Sequence, residues 1–146
     1  MVDNIKYEHE LDKKVAISYD SLPNSSFEDV NLGDTKFSNV NLKGAVFDDV
    51  NMEDVKLNNI NMSGADLTDI YMANTRFLGV NMTGTRFGCS VMNNVEFKNP
   101  VMRGATFAYC DLTNVEINDC IIDGLKINGI DISKLIEQHL KETQEQ

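Results

Sequence analysis

The chain is 146 residues long, 42% hydrophobic and 25% charged, with a formal net charge of −10. One domain of that length can bury a real core, and so acidic a balance argues against direct binding to nucleic acid or anionic membrane, both of which are held by basic residues. Three cysteines without paired spacing read as reduced intracellular thiols, not a disulfide framework, which makes the cytoplasm the default expectation.

In chain order, residues 1–24 come first. They hold no apolar core of about 7–15 residues such as a signal peptide needs, and no run anywhere approaches the ~20 apolar residues of a membrane span. The stretch KVAISY (14–19) alternates like a strand, and Leu22 and Pro23 lead into a regular repeat. Residues 1–24 are therefore read as an N-terminal cap.

From Phe27 to Ile132 the pattern changes to a period of five, which matches neither the helical nor the strand template. The 22 positions counted in fives hold seven Phe, six Met, five Leu and four Ile. Two residues before each lies a second column, from Ser25 through Val30, Thr35 and Val40 to Ile130, nearly all small or β-branched. Asn, Asp, Lys, Gly, Thr and Arg fill most of the rest. Repeats of this regularity specify a whole architecture.

The unit Ala65-Asp66-Leu67-Thr68-Asp69 resembles that of the pentapeptide-repeat family, A(D/N)LxN, and the resemblance covers residues 25–132. It implies an all-β fold, a right-handed quadrilateral parallel β-helix in which one pentapeptide makes one wall and four make a coil. About 5.5 coils at ~4.8 Å would stand roughly 26 Å tall. One wall would stack Phe27, Phe47, Leu67, Phe87, Phe107 and Ile127, and the opposite wall Phe37, Leu57, Phe77, Phe97 and Ile117. These ladders read as packed core, not as a ligand pocket. Pro100 removes an amide from the ladder and is read as a local irregularity.

Outward carboxylates gather early. Glu28, Asp29, Asp48, Asp49 and Asp69 fall on one wall and Glu53 and Asp54 on the next, an expected acidic corner on the first three coils. A solvated face and a recognition surface for a basic partner are the main readings, with a weak divalent-cation site behind them. Lys36, Lys56 and Arg76 share a column with Glu96 and Glu116, and Asn41, Asn61 and Asn81 form a column expected to hydrogen-bond as a surface ladder. Outward Val46, Tyr71, Leu78, Val91, Val101, Tyr109 and Ile121 are more apolar than solubility needs.

Residues 133–146 read as a helix, with Ser133 as N-cap and Leu135, Ile136 and Leu140 on one face. That helix is expected to cover the last coil as a C-terminal capping α-helix. The resemblance adds a second role, a homodimer built through it, and the choice between cap alone and cap with dimer stays open.

Nothing points to catalysis. His9 and His139 both lie outside the coil, no clustered Cys/His spacing suggests a metal, and no phosphate-binding glycine motif is present. No catalytic residue, cofactor or metal is expected. Two functions remain: an interaction or scaffold solenoid showing a rigid wall to a protein partner, and, from the resemblance, a DNA mimic that occupies a type II topoisomerase as quinolone-resistance pentapeptide proteins do. Charge favours the first. Residues 27–70 carry nine acids and three lysines, 71–110 one acid and four bases, and 111–132 five acids and one lysine, whereas duplex DNA is charged without interruption.

Overall fold

The computed structural model describes residues 6–7, 16–18 and 21–144. The chain winds as a β-solenoid of about five turns. Two of its walls are parallel sheets. The first stacks β1 (Lys6–Tyr7), β3 (Ser26–Glu28), β5 (Val46–Asp48), β7 (Asp66–Thr68), β9 (Arg86–Gly88), β11 (Thr106–Ala108) and β13 (Lys126–Ile127), closed by antiparallel β14 (Ile130–Asp131). The second stacks β2 (Ala16–Ser18), β4 (Lys36–Ser38), β6 (Lys56–Asn58), β8 (Arg76–Leu78), β10 (Glu96–Lys98) and β12 (Glu116–Asn118). The other two walls are columns of single bridges, Asn31–Asn51–Tyr71–Val91–Asp111 and Ser21–Asn41–Asn61–Asn81–Val101–Ile121.

Every parallel pairing is offset by 20 residues, as Phe27 to Phe47, so residues of like size meet coil on coil. Phe27 and Phe47 stack with ring centroids 4.6 Å apart, and Phe87 and Phe107 at 4.5 Å. On the opposite wall Phe77 and Phe97 stack at 4.6 Å. The large column from Phe27 to Phe107 is buried throughout, as is the small column from Ser25 to Ala105. Threonine substitutes for valine in the small column because its hydroxyl finds a carbonyl of the preceding coil: Thr75 Oγ1 donates to Met52 O at 2.6 Å, and Thr85 Oγ1 to Met62 O at 2.7 Å.

The coil starts earlier than residue 25. Ile17 pairs with Phe37, Tyr7 with Phe27, and Leu22 is buried in the large column. The strand expected over 14–19 is β2. The described parts of the N-terminal 24 residues thus continue the ladder; the rest of that expected cap, His9 included, lies outside the described residues.

Pro100 disturbs nothing, contrary to expectation. Asn99 N donates to Asn118 O at 3.1 Å, Val101 N to Val80 O at 3.0 Å, and Pro100 O accepts from Ile121 N at 3.1 Å. The reason is positional. Among the described residues the equivalent amides of Val40, Ile60 and Val80 make no bond between coils, so proline there removes nothing.

The register ends sooner than expected. Asn128 and Gly129 both have positive φ, 46° and 81°, the two-residue hairpin geometry that Asn-Gly favours. The chain reverses, Ile127 pairs with Ile130, and Ile130 is turned out to 58% exposure instead of entering the small column. The helix α1 (Ile132–Gln144) then leaves the body. Its N-cap is Asp131, not Ser133: Asp131 Oδ1 accepts from Lys134 N at 3.2 Å and from Ser133 Oγ at 2.7 Å. Nor does α1 cover the last coil. Ile132 packs on the core, but Leu135, Ile136 and Leu140 are 54%, 44% and 53% exposed. Leu112, Val115, Ile117, Ile122 and Ile127 beneath are only partly buried.

Candidate interaction surface

The interior is filled, so any function sits outside, and the outside is governed by a third column. Every fifth residue from Asn24 to Gly124, two after each large one, has positive φ, between 49° and 68°. There the wall turns its corner in the left-handed region, which costs an ordinary L-residue roughly 1–2 kcal/mol and favours Gly, Asn and Asp. Of these 21 positions 19 are Asn, Asp or Gly. The exceptions are Cys89, φ 49°, and Tyr109, φ 57°. This column was legible as a third period of five and sequence reasoning missed it.

Much of the acidity is therefore turn chemistry. Asp29, Asp49, Asp54 and Asp69 all occupy corner positions, where the backbone accepts Asn, Asp or Gly and only the charge is a further choice. Asp29, Asp49 and Asp69 line one side of an open groove of about 370 Å³, with Asn31, Asn51 and Tyr71 opposite and Val30 and Val50 as its floor. Glu28 and Asp48 stack beside them in register, and Ser26 Oγ donates to Glu28 Oε1 at 2.6 Å. Glu53 and Asp54 are not part of the groove. They stand on the next wall, where Glu53 O accepts from Asp34 N at 2.9 Å.

Three of the four basic residues of the middle coils are compensated, Lys98 being the exception. Arg76 Nε lies 3.4 Å from Glu96 Oε2, Arg103 Nε 3.3 Å from Asp123 Oδ2, and Arg86 pairs with Asp66, each across one 20-residue step. These exposed pairs add little stability, but they cancel the positive band locally. The column Lys36, Lys56, Arg76, Glu96, Glu116 stands as expected. Of the Asn ladder, Asn61 Nδ2 donates to Asn41 Oδ1 at 3.2 Å and Asn41 Nδ2 to Ser21 Oγ at 3.4 Å. A second ladder, Asn114 to Asn94 to Asn74, is as regular, at 3.1 and 3.2 Å.

Cys110, half-buried, has its pKa raised chiefly by burial, and Sγ donates weakly to Ala108 O at 3.4 Å. Cys89 is exposed and Cys120 partly so, and all three are free. Among the described residues no group of three His, Cys, Asp or Glu is arranged to hold a metal ion, and His139 is exposed on α1 beside Leu135, Ile136 and Glu142. No described helix is long and apolar enough to cross a membrane.

Stacked parallel strands around a solid core, with one turn residue per wall, define a square repeat solenoid. The sequence matches the family described as Pentapeptide repeat region over residues 50–127 and Pentapeptide repeats (8 copies) over 25–64, and the chain belongs to the pentapeptide-repeat family. Among solved structures it is similar to Rfr23 of the cyanobacterium Cyanothece 51142, at 16% identity over 78% of this chain and 81% of that one, TM-score 0.40. It is similar also to a pentapeptide repeat protein of the Arabidopsis thaliana thylakoid lumen, at 20% identity over 72% and 70%, TM-score 0.42. A third likeness is to trypsin-treated QnrB1, a plasmid-mediated fluoroquinolone resistance protein, at 11% identity over 86% and 97%, TM-score 0.28. Family membership rests on the repeat match and not on these low-scoring superpositions. No curated protein sequence matches the chain.

Proposed function

We propose that this protein is a non-enzymatic interaction solenoid that offers a rigid acidic corner to a protein partner. Pentapeptide-repeat solenoids are generally non-enzymatic and commonly mediate protein interactions. The observation that carries the reading is the contrast of charges: Asp29, Asp49 and Asp69 line one groove, while Arg76, Arg86 and Arg103 are each tied to a carboxylate of a neighbouring coil. A fixed row of carboxylates on a stiff frame attracts basic surface without an ordering cost.

Chemical cross-linking in cells, read by mass spectrometry, tests it with wild type and the Asp29→Asn/Asp49→Asn/Asp69→Asn variant. Asparagine suits the same corner geometry, so the fold stays and the charge goes. The expected result is a partner held by wild type and lost by the variant; an unchanged set of partners would refute the reading.

The DNA-mimic alternative has less behind it. The run from Asp29 to Asp69 spans two coil spacings of ~4.8 Å, roughly 10 Å, against ~34 Å for a turn of duplex. A gyrase supercoiling assay with and without fluoroquinolone tests it directly, and protection there would restore it.

The exposed face of α1 supports homodimer formation as part of the same function. Leu135, Ile136 and Leu140 are open to solvent beside a half-open last coil, and two copies could cover both. Sedimentation equilibrium should give a dimer for wild type and a monomer for the Leu135→Ser/Ile136→Ser/Leu140→Ser variant; a monomeric wild type would refute it.

A further inference from the structure

At the C-terminal end one sheet of the solenoid is closed and the other is open. β14 lies antiparallel against β13, whereas the second sheet ends on β12, which pairs with β10 alone. Along a strand successive residues turn their amide and carbonyl to alternate neighbours. Glu116 N donates to Val95 O at 3.0 Å, and Asn118 O accepts from Asn99 N at 3.1 Å, so these two residues face the coil below. Val115 O, the amide and carbonyl of Ile117, and Asp119 N face the other way, and among the described residues they find no backbone partner. Their counterparts one coil below, Val95 O and Asn99 N, are among the groups that hold β12. An unpaired edge of this kind is a template for another strand, and the Ile117 side chain at its centre is only partly buried.

Resting on the homodimer reading above, we infer that a second copy of this chain lays its own β12 antiparallel on this edge, with Ile117 opposite Ile117. The free groups are self-complementary under that two-fold relation. Ile117 N of each copy donates to Ile117 O of the other, and Asp119 N of each to Val115 O of the other, so every free group is used. Glu116 then stands opposite Asn118 of the second copy, a carboxylate against an amide that can donate to it. A parallel pairing in register would instead set Glu116 on Glu116, like charges in contact. Because β14 makes the first sheet one strand taller than the second at this end, two copies joined at β12 meet at a bend and not end-on.

Charge exchange at the two outward positions of β12 tests the pairing in the intact protein by sedimentation equilibrium. Asn118→Glu sets a carboxylate opposite Glu116 on each side of the two-fold axis and should weaken the dimer about tenfold or more. Adding Glu116→Lys to it turns both contacts into ion pairs and should restore the dimer. Neither change burdens the monomer, because Glu96 lies beneath Glu116 and Lys98 beneath Asn118 in register, so thermal midpoints should stay level or rise. An Asn118→Glu protein as dimeric as wild type, or a double variant no more dimeric than the single one, overturns the inference. The outcomes are separable from those of the α1 test. A dimer lost only by Leu135→Ser/Ile136→Ser/Leu140→Ser removes this inference and leaves the α1 reading standing. A dimer lost only by Asn118→Glu does the reverse, and a monomeric wild type removes both.

Discussion

Phe97 is where the ladder can be tested hardest. It is wholly buried in β10, stacked on Phe77 at 4.6 Å, and meets Phe87 and Phe107 edge-on at 6.5 and 6.2 Å. Phe97→Ala removes a ring from a slot whose walls are set by hydrogen bonds to the coils on both sides, so the cavity has little means of collapse. The cost should fall at the upper end of the ~3–5 kcal/mol seen for such truncations, because the aromatic contacts are lost as well. Against a total stability of about 5–15 kcal/mol this is near the limit of folding. Phe97→Leu should cost only roughly 1–2 kcal/mol, since Leu57 fills the equivalent slot two coils earlier. Urea unfolding followed by far-UV circular dichroism measures both, with an unchanged slope showing that the same surface unfolds. An Ala variant within about 1 kcal/mol of wild type, or a Leu variant as damaged as the Ala variant, would refute the view that stacking register carries the stability.

Thr75→Val keeps the shape of the small column and removes the bond to Met52 O, and should cost about 0.5–1.5 kcal/mol in the same unfolding assay. At the corner, Asp49→Asn should leave stability level or raise it, whereas Asp49→Ala should lose ~1 kcal/mol because alanine resists positive φ; thermal melts that do not separate the two would count against the turn argument. Asp131 has a lowered pKa, first through the Ser133 hydroxyl and then the Lys134 amide. A lowered folded-state value stabilises above the ordinary carboxylate pKa of about 3.9 and is lost as pH falls through the folded value. Amide shifts of residues 132–144 should therefore show α1 fraying in acid, and Asp131→Ala should show that fraying already at neutral pH with no further acid step.

How much of the molecule is legible in its sequence depends on what the backbone demands at each place. Phe27, Met52 and Phe97 announce themselves because an interior position accepts nothing else. The corner column escapes notice because Asn, Asp and Gly look like ordinary surface residues until the sign of φ is known. For that reason Asp29 and Asp69 read on sequence as charge alone, and Tyr109 as a scattered apolar residue. The C-terminal end fails differently. Asn128-Gly129 is a plain hairpin signal, but the period of five runs through it to Ile132, and a regular count overrides a local turn. Once the hairpin turns the chain back against β13, Ile132 packs on the core while Leu135, Ile136 and Leu140 of α1 stay exposed. Its apolar face is then left uncovered. Leu22 and Ile17 lie in the large column's register, though their neighbours lack its regularity.

The same accounting says where function can be written in such a chain. Of each five residues the large and small inward positions are fixed by packing and the corner by φ, which leaves two outward places free. In the first wall these are the positions of Ser26 and Glu28, continued as Val46 and Asp48, then Asp66 and Thr68. Residues there can change without touching the fold, so their identity carries weak information. A corner residue that defies its φ is different, because the backbone resists it by roughly 1–2 kcal/mol. Cys89 and Tyr109 are such residues, one coil apart on the corner that begins with Asp29, Asp49 and Asp69. The physical cost of the exception, more than the abundance of charge, sets that edge of the solenoid apart from the other three.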